Sequence, residues 1–357
     1  MRTFIIIASI FWASLCNAQP LTLTMQECRD MALAHSEDLK KSANDVSGAE
    51  LDYRIARNSR LPQLSGSAMG MYMAPNTDLG GMTLSMKGTW TAGLTLTQPI
   101  YAGGKITSGI RLAKMGVEAN RQQQRTTHAT IIADADNAYW TFIAVREKQQ
   151  MLLSMLEYIN SIYTQVKNSV DVEMATSADL LRVEAKRSDF NYQLEQANNG
   201  LEMCRLNLCN MIGVDFNTEI QPADTVVIIN ETISGDFSYD LVANRPEYKL
   251  LQSQIDISRE QIKMVRADYL PTLALSAGYS YYGNLKLKGY ADDGTGNMVP
   301  FSQNYKDGSF SLMLSLSVPI WNWGEGHKKV KKQRLAVENA RLDLEKNSRL
   351  MSIELRN

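Results

Sequence analysis

Arg57-Asn58-Ser59-Arg60-Leu61-Pro62-Gln63-Leu64 and Arg266-Ala267-Asp268-Tyr269-Leu270-Pro271-Thr272-Leu273 are two versions of one pattern, Arg-x-x-x-Leu-Pro-x-Leu, 209 residues apart. The hydrophobic period changes across each. Before the first, Met25, Cys28, Ala32, His35, Leu39, Ser42, Val46, Ala49, Tyr53 and Ala56 recur in three- and four-residue steps, a heptad seam. Before the second, Leu241, Tyr248, Leu251, Ile255, Ser258, Ile262 and Val265 do the same, broken at Asn244. The residue preceding a proline is pushed out of helical geometry, so helices are expected over 24–58 and 238–268.

After each Leu-Pro the period falls to two. Trp90, Leu94 and Leu96 alternate with Thr91, Thr95 and Thr97; Leu275 and Tyr279 with Ser276 and Ser280; Leu312, Leu314 and Leu316 with Ser311, Ser315 and Ser317. Strands are expected over 64–74, 89–98, 273–282 and 309–318. Each carries one greasy and one hydroxylated face and no charge, the pattern and length of a tilted membrane strand. A soluble sandwich also alternates, so this pattern alone leaves both open.

Closure separates them. Four strands cannot close a barrel, and an open edge in lipid strands unpaired backbone groups at several kcal/mol each. Other copies of the chain must complete the wall: three copies give about twelve strands, two about eight, whose interior side chains would fill. Tyr72, Trp90, Tyr279, Tyr281, Tyr282 and Trp321 lie near strand ends, where aromatic belts form.

The duplication extends further. Gln98-Pro99-Ile100-Tyr101 with Gly103-Gly104 matches Val318-Pro319-Ile320-Trp321 with Trp323-Gly324 at an offset of 220. The eleven added residues fall in Gly283 to Gly308, a polar stretch expected to be an exposed loop longer than its counterpart Pro75 to Gly88. Pro99, Gly103, Gly104, Pro319 and Gly324 are the expected strand-to-helix turns.

Residues 103–211 read as a helical coiled-coil hairpin. Its first arm carries Ala138, Phe142, Val145, Gln149, Leu152, Leu156, Ile159, Tyr163 and Val166 in heptad spacing; its second carries Leu180, Val183, Arg187, Phe190, Leu194, Ala197, Leu201, Cys204, Leu208 and Met211. The first arm spans about 99 Å at 1.5 Å per residue. Two shorter helices stacked end to end could run beside it. The organisation is therefore a signal peptide at 1–18, a first repeat at 19–213, a connector at 214–235 and a second repeat at 236–357. The fold class is α+β, a membrane β-barrel with four strands from each chain and a long α-helical coiled-coil barrel.

Composition removes other classes. The 357 residues carry 37 basic and 38 acidic side chains, so charge gives no reason to expect a nucleic-acid partner. The longest apolar run, Phe4 to Cys16, is too short to span as a helix and reads as an export signal. Cys28, Cys204 and Cys209 remain in the mature chain, with no disulfide or metal spacing. His35, His128 and His327 do not converge, and Gly103-Gly104-Lys105-Ile106-Thr107 lacks the remaining residues of a phosphate loop. Asp134 and Asp136 diverge on one helix and are expected to be ordinary polar positions. Met69, Met71 and Met73 alternate on one strand face and are expected to pack against pore or lipid; Lys328-Lys329, Lys331-Lys332 and Arg334 are expected to meet lipid headgroups. No catalytic residue, cofactor or metal is expected.

The chain resembles the TolC family of outer-membrane efflux ducts. The residues that carry the likeness are Leu23-Thr24 with Ala32-Leu33-Ala34, the duplicated Leu-Pro pattern, Gln98 to Lys105, and Ala175-Thr176 with Asp179-Leu180-Leu181. The resemblance implies a homotrimer with a twelve-stranded outer-membrane barrel and a helical periplasmic tube in a Gram-negative-type bacterium. It implies passive exit of small molecules or proteins from a tripartite efflux or type I secretion system, with an inner-membrane pump and a periplasmic adaptor (membrane fusion) protein as partners. The adaptor contact falls on Asp171, Val172, Glu173, Met174, Ala175 and Thr176, with Glu173 where the family has glycine. Thr91, Thr95, Thr97, Ser276, Ser280, Ser311, Ser315 and Ser317 would face the pore; Trp90, Leu94, Leu96, Leu275, Tyr279, Leu312, Leu314 and Leu316 would face lipid. By the spacing of the first repeat the second would end near residue 433, about 76 beyond Asn357, so a C-terminal truncation is expected, leaving Val330, Val337, Leu344 and Met351 short of partners. The alternative reading is a non-transporting periplasmic coiled-coil structural protein.

Overall fold

The computed structural model describes residues 21–78, 82–224, 239–292 and 297–355. The expected signal peptide, and the second half of the expected connector, lie outside the described residues. In chain order the elements are β1 (Leu21–Leu23), α1 (Met25–His35), α2 (Glu37–Asn58), β2 (Gln63–Tyr72), β3 (Thr77–Asp78), β4 (Met82–Ser85) and β5 (Lys87–Ala102). Then follow α3 (Lys105–Asp171), α4 (Ser177–Ile212), β6 (Ile220–Pro222), α5 (Tyr239–Asn244), α6 (Pro246–Ala267), β7 (Thr272–Asp292), β8 (Met298–Ser317) and α7 (Glu325–Glu354). The described residues divide into two units, 21–45 with 123–224, and those within 46–122 with those within 239–355.

The first unit is built on the α3–α4 hairpin and a small core. β1 pairs in parallel with β6, Leu21 opposite Ile220. Their apolar side chains meet Cys28 and Ala32 of α1, Ala135, Tyr139 and Phe142 of α3, and Leu208, Cys209 and Ile212 of α4. Tyr139 is fully buried, and its hydroxyl is shared between the Leu23 carbonyl at 2.8 Å and the Asp224 carboxylate at 3.1 Å, which meets the cost of burying a phenol. Thr24 and Glu27 form a capping box at the start of α1, satisfying donors that a helix start leaves open. Asp136, expected to be an ordinary polar position, instead forms a two-pronged ion pair with Arg29, both contacts 2.6 Å. Further along, Gln149 donates to Asn198 at 2.7 Å, and the Arg187 guanidinium lies 4.2 Å from the Tyr163 ring centre.

The second unit is one sheet with the later part of α2, helices α5, α6 and α7, and the start of α3. Strand pairing runs β2–β5–β7–β8, antiparallel throughout. β7 also pairs β4 beyond its contact with β5, and β4 pairs β3.

Several expectations need correction. Gly283 to Gly308 is not a loop: β7 runs on to Asp292 and β8 begins at Met298, so most of it is a paired hairpin. Leu285-Lys286-Leu287-Lys288 alternates with period two, and two mutually paired strands satisfy their backbone without a hydrophobic face. The transition lies at Asn284, which takes φ 62° and donates its side-chain amide to the carbonyls of Lys87 and Gly88. The first expected helix is broken at Ser36, whose hydroxyl accepts from the Leu39 amide, and the second at Arg245, because Pro246 starts a new helix. Val337 and Met351 are buried, not short of partners, because α6 packs along α7, with Gln333 donating to Gln261 at 2.6 Å.

Candidate duct wall and hairpin tip

Directly opposed residues of antiparallel strands point to the same side of a sheet. The observed register therefore sorts the strand residues into two faces. One holds Ser65, Thr95, Gly278 and Ser311 in a row, with Gln63, Thr97, Ser276 and Met313 beside it. Thr97 and Ser276 hydroxyls lie 3.4 Å apart, and those of Ser280 and Ser309 3.2 Å apart. The other face holds Leu64, Leu96, Ala277 and Leu312, then Gly66, Leu94, Tyr279 and Phe310.

All eight expected pore residues fall on the hydroxyl face and all eight expected lipid residues on the apolar one. Among the described residues no second layer covers the apolar face: Leu94 is 57%, Leu312 66% and Phe310 72% exposed. A soluble sandwich would bury those side chains against another sheet. A ring pair, Trp90 and Tyr281 at 5.6 Å, stands on the same face near the Asn284 bend, and Trp321 packs edge-on to Trp323 at 5.9 Å past the other end. The outer edges of β2 and β8 have no strand partner among the described residues.

At the strand exits, Gly103 and Gly104 take φ 60° and 85°. A Cβ on Gly103 would also stand 2.7 Å from the Ala267 carbonyl oxygen and 2.7 Å from the Leu270 Cβ. Pro99, expected at the strand-to-helix turn, instead sits at a bulge inside β5 opposite Ala274, and the strand stays paired through Ala102 before the turn. In the second half Gly324 caps α7 at φ 72° after Pro319.

The hairpin tip is closed by backbone geometry. The amide of Glu173 donates to Val170 O at 3.0 Å and that of Met174 to Ser169 O at 2.8 Å, with Glu173 at φ 63°. That is a Schellman ending with glutamate at its left-handed position. Thr176 and Asp179 then form a capping box for α4, and the Thr176 contacts hold the Asp179 carboxyl below its usual range. Val172 and Met174 project into solvent at 64% and 85% exposure.

Between α3 and α6, Glu260 is 4% exposed. Burial pushes its carboxyl up, but Lys263 Nζ at 2.6 Å, the Ser108 hydroxyl and Arg111 at 3.7 Å outweigh that and hold it below the ordinary range. Sequence reading did not find this cluster. Among the described residues no group of His, Cys, Asp and Glu could hold a metal, and no helix is long and apolar enough to cross a membrane.

The family model described as "Outer membrane efflux protein" matches residues 28–214 and 237–353. The chain belongs to the outer membrane efflux protein family. Its relatives include the solvent efflux pump outer membrane protein SrpC of Pseudomonas putida, 23% identical over 311 residues, covering 83% of this chain and 61% of the relative. Another is the cation efflux system protein CusC of Escherichia coli K12, 21% identical over 308 residues, covering 82% and 61%. The chain thus spans about three fifths of the length of these relatives. Among solved structures, the outer-membrane channel OprN superposes with a TM-score of 0.74 at 16% identity, over 92% of this chain and 72% of that one. The open MtrE channel of Neisseria gonorrhoeae gives 0.68 at 19% identity, over 94% and 74%. The fold is that of these channels.

Proposed function

We propose that the chain supplies one part of the wall of an outer-membrane exit duct, assembled from several copies and serving passive efflux. The observation that carries this is the bare sheet with one apolar face, one hydroxyl face and two free edges. β2, β5, β7 and β8 alternate in direction, so β8 of one copy meets β2 of the next antiparallel, and repetition closes the wall without an open edge. Three copies give about twelve strands, wide enough for a wet pore.

In this reading lipid covers Trp90, Leu94, Leu96, Leu275, Tyr279, Leu312, Leu314 and Leu316, while Thr91, Thr95, Thr97 and the serines of β7 and β8 line water. The hairpin extends into the periplasm, and its tip, Asp171 to Thr176, meets an adaptor protein that joins the duct to an inner-membrane pump. The exposed Met174 and Val172 beside a rigid capped turn suit such a contact. The duct's contribution is geometric, and no turnover chemistry is assigned to it.

The test is reconstitution of the exported chain in planar lipid bilayers. A stable ion conductance, with a heat-sensitive oligomer on denaturing gels, supports the duct; a folded, water-soluble monomer without conductance supports the periplasmic structural protein instead.

A further inference from the structure

The two offsets that align the halves convert one observed strand pairing into another. Adding 209 to a β2 residue and 220 to a β5 residue turns Gln63 opposite Thr97 into Thr272 opposite Ser317, and Ser67 opposite Gly93 into Ser276 opposite Met313. Both are pairs found between β7 and β8. Met69 opposite Thr91 likewise becomes Gly278 opposite Ser311, again an observed pair. The duplication therefore preserves register to the residue.

The β5–β7 pairing joins the last strand of the first half to the first strand of the second. Its counterpart would join β8 to a further copy of β2, and the outer edges of both strands are vacant among the described residues. Resting on the duct reading, we propose that β8 of one copy pairs with β2 of the next in the register these offsets dictate. Gly93 opposite Ser280 becomes Met313 opposite the partner's Met71. Thr95 opposite Gly278 becomes Ser315 opposite the partner's Met69, and Ala92 opposite Tyr281 becomes Leu312 opposite the partner's Tyr72.

Facing direction agrees independently. Met69 and Met71 share the side of Thr91 and Thr89, and Met313 that of Ser276, so the proposed rungs continue the hydroxyl face of one copy into that of the next. A slip of one residue would turn every side chain of β2 to the wrong face. A slip of two would keep the faces and is excluded only by the duplication. The seam places the Met313 thioether against that of the partner's Met71, 59% and 36% exposed in the single chain, and gives Met69, 64% exposed, a neighbour in Ser315. On the apolar side it lays Tyr72, 72% exposed, against Leu312.

Disulfide trapping in outer membranes tests this, because opposed strand residues have Cα separations that a disulfide accepts. The exported chain carrying Met71→Cys with Met313→Cys, and separately Met69→Cys with Ser315→Cys, should give reducible, covalently linked copies on mild oxidation. Met69→Cys with Met313→Cys, the two-residue slip, and each single variant should give none. Linking in the slipped pair alone overturns the register and leaves the assembly standing. No linking in any pair, with an oligomer still present on unheated gels, also overturns the register. Monomer throughout, with the unsubstituted chain monomeric as well, overturns the duct reading itself.

Discussion

Gly103 and Trp323 hold the same left-handed backbone, φ 60° and 49°, at matching positions in the two halves of the chain. The following residues, Gly104 and Gly324, match as well at 85° and 72°. A strand arriving at a helix start must turn through two such residues here, and glycine does so without the Cβ penalty of about 1–2 kcal/mol. Trp323→Gly should therefore stabilise the second unit by about 1 kcal/mol, read as a raised thermal midpoint. Gly103→Ala should lower it by more than 2 kcal/mol or so, since the added methyl also meets the Ala267 carbonyl and Leu270. Equal, small effects at both sites would contradict the assignment of strain.

At the hairpin tip the same physics applies to Glu173. Replacing it with glycine should stabilise the α3–α4 turn by about 1 kcal/mol, and replacing it with valine should destabilise it, because a β-branched residue tolerates a positive φ least. Hydrogen exchange at the amides of Met174 and Ala175, both bonded to Ser169 O, reports the change locally.

Arg29 and Asp136 join elements 107 residues apart through two short charged hydrogen bonds, each side chain 27% exposed. Asp136→Asn should cost about 1–2 kcal/mol in denaturant unfolding, within the range for partly screened charged hydrogen bonds. The loss should be non-additive with Arg29→Gln in a double-mutant cycle.

Glu260 makes the second unit sensitive to acid. Its folded carboxyl titrates below its unfolded value, so the stability it contributes is fully present above about pH 4.5 and is lost as pH falls through the folded value. Glu260→Gln should lower the thermal midpoint at pH 7, and the gap from the unsubstituted chain should shrink on moving below pH 4. A gap independent of pH would contradict the ion-pair account.

Burial pushes the Cys28 thiol up to about 11 and raises that of Cys209, while Cys204 is only half-buried. Alkylation at pH 8, followed by peptide mass spectrometry, should mark Cys204 first and reach the other two only on unfolding.

What could be read in the sequence and what could not divide on physical grounds. The Leu-Pro pairs, the hydroxyl alternation and the heptad seams of α3 and α4 are local and periodic, and the residues quoted for those seams are the buried or half-buried ones. The Gly283–Gly308 stretch reads as a loop in the sequence because its turn-forming residues outweigh the Leu-Lys alternation of 285–288. The breaks at Ser36 and Arg245 cost the pattern little, since the apolar steps resume on the far side; Pro246 was the visible signal for the second. Arg29 with Asp136, Tyr139 with Asp224, and Ser108 with Glu260 are contacts between distant segments and leave no periodic trace. The two faces of the sheet were legible, but their rows became definite only with the register.

The most direct test of the central claim places single cysteines on the two faces and asks which one water reaches in intact outer membranes. Thr95→Cys and Ser311→Cys should react with a membrane-impermeant thiol reagent, while Leu94→Cys and Leu312→Cys, one residue away, should be shielded from it and react with a lipid-soluble reagent. Equal reaction of both sets with the impermeant reagent would mean that the apolar face meets water, and the duct wall would be refuted.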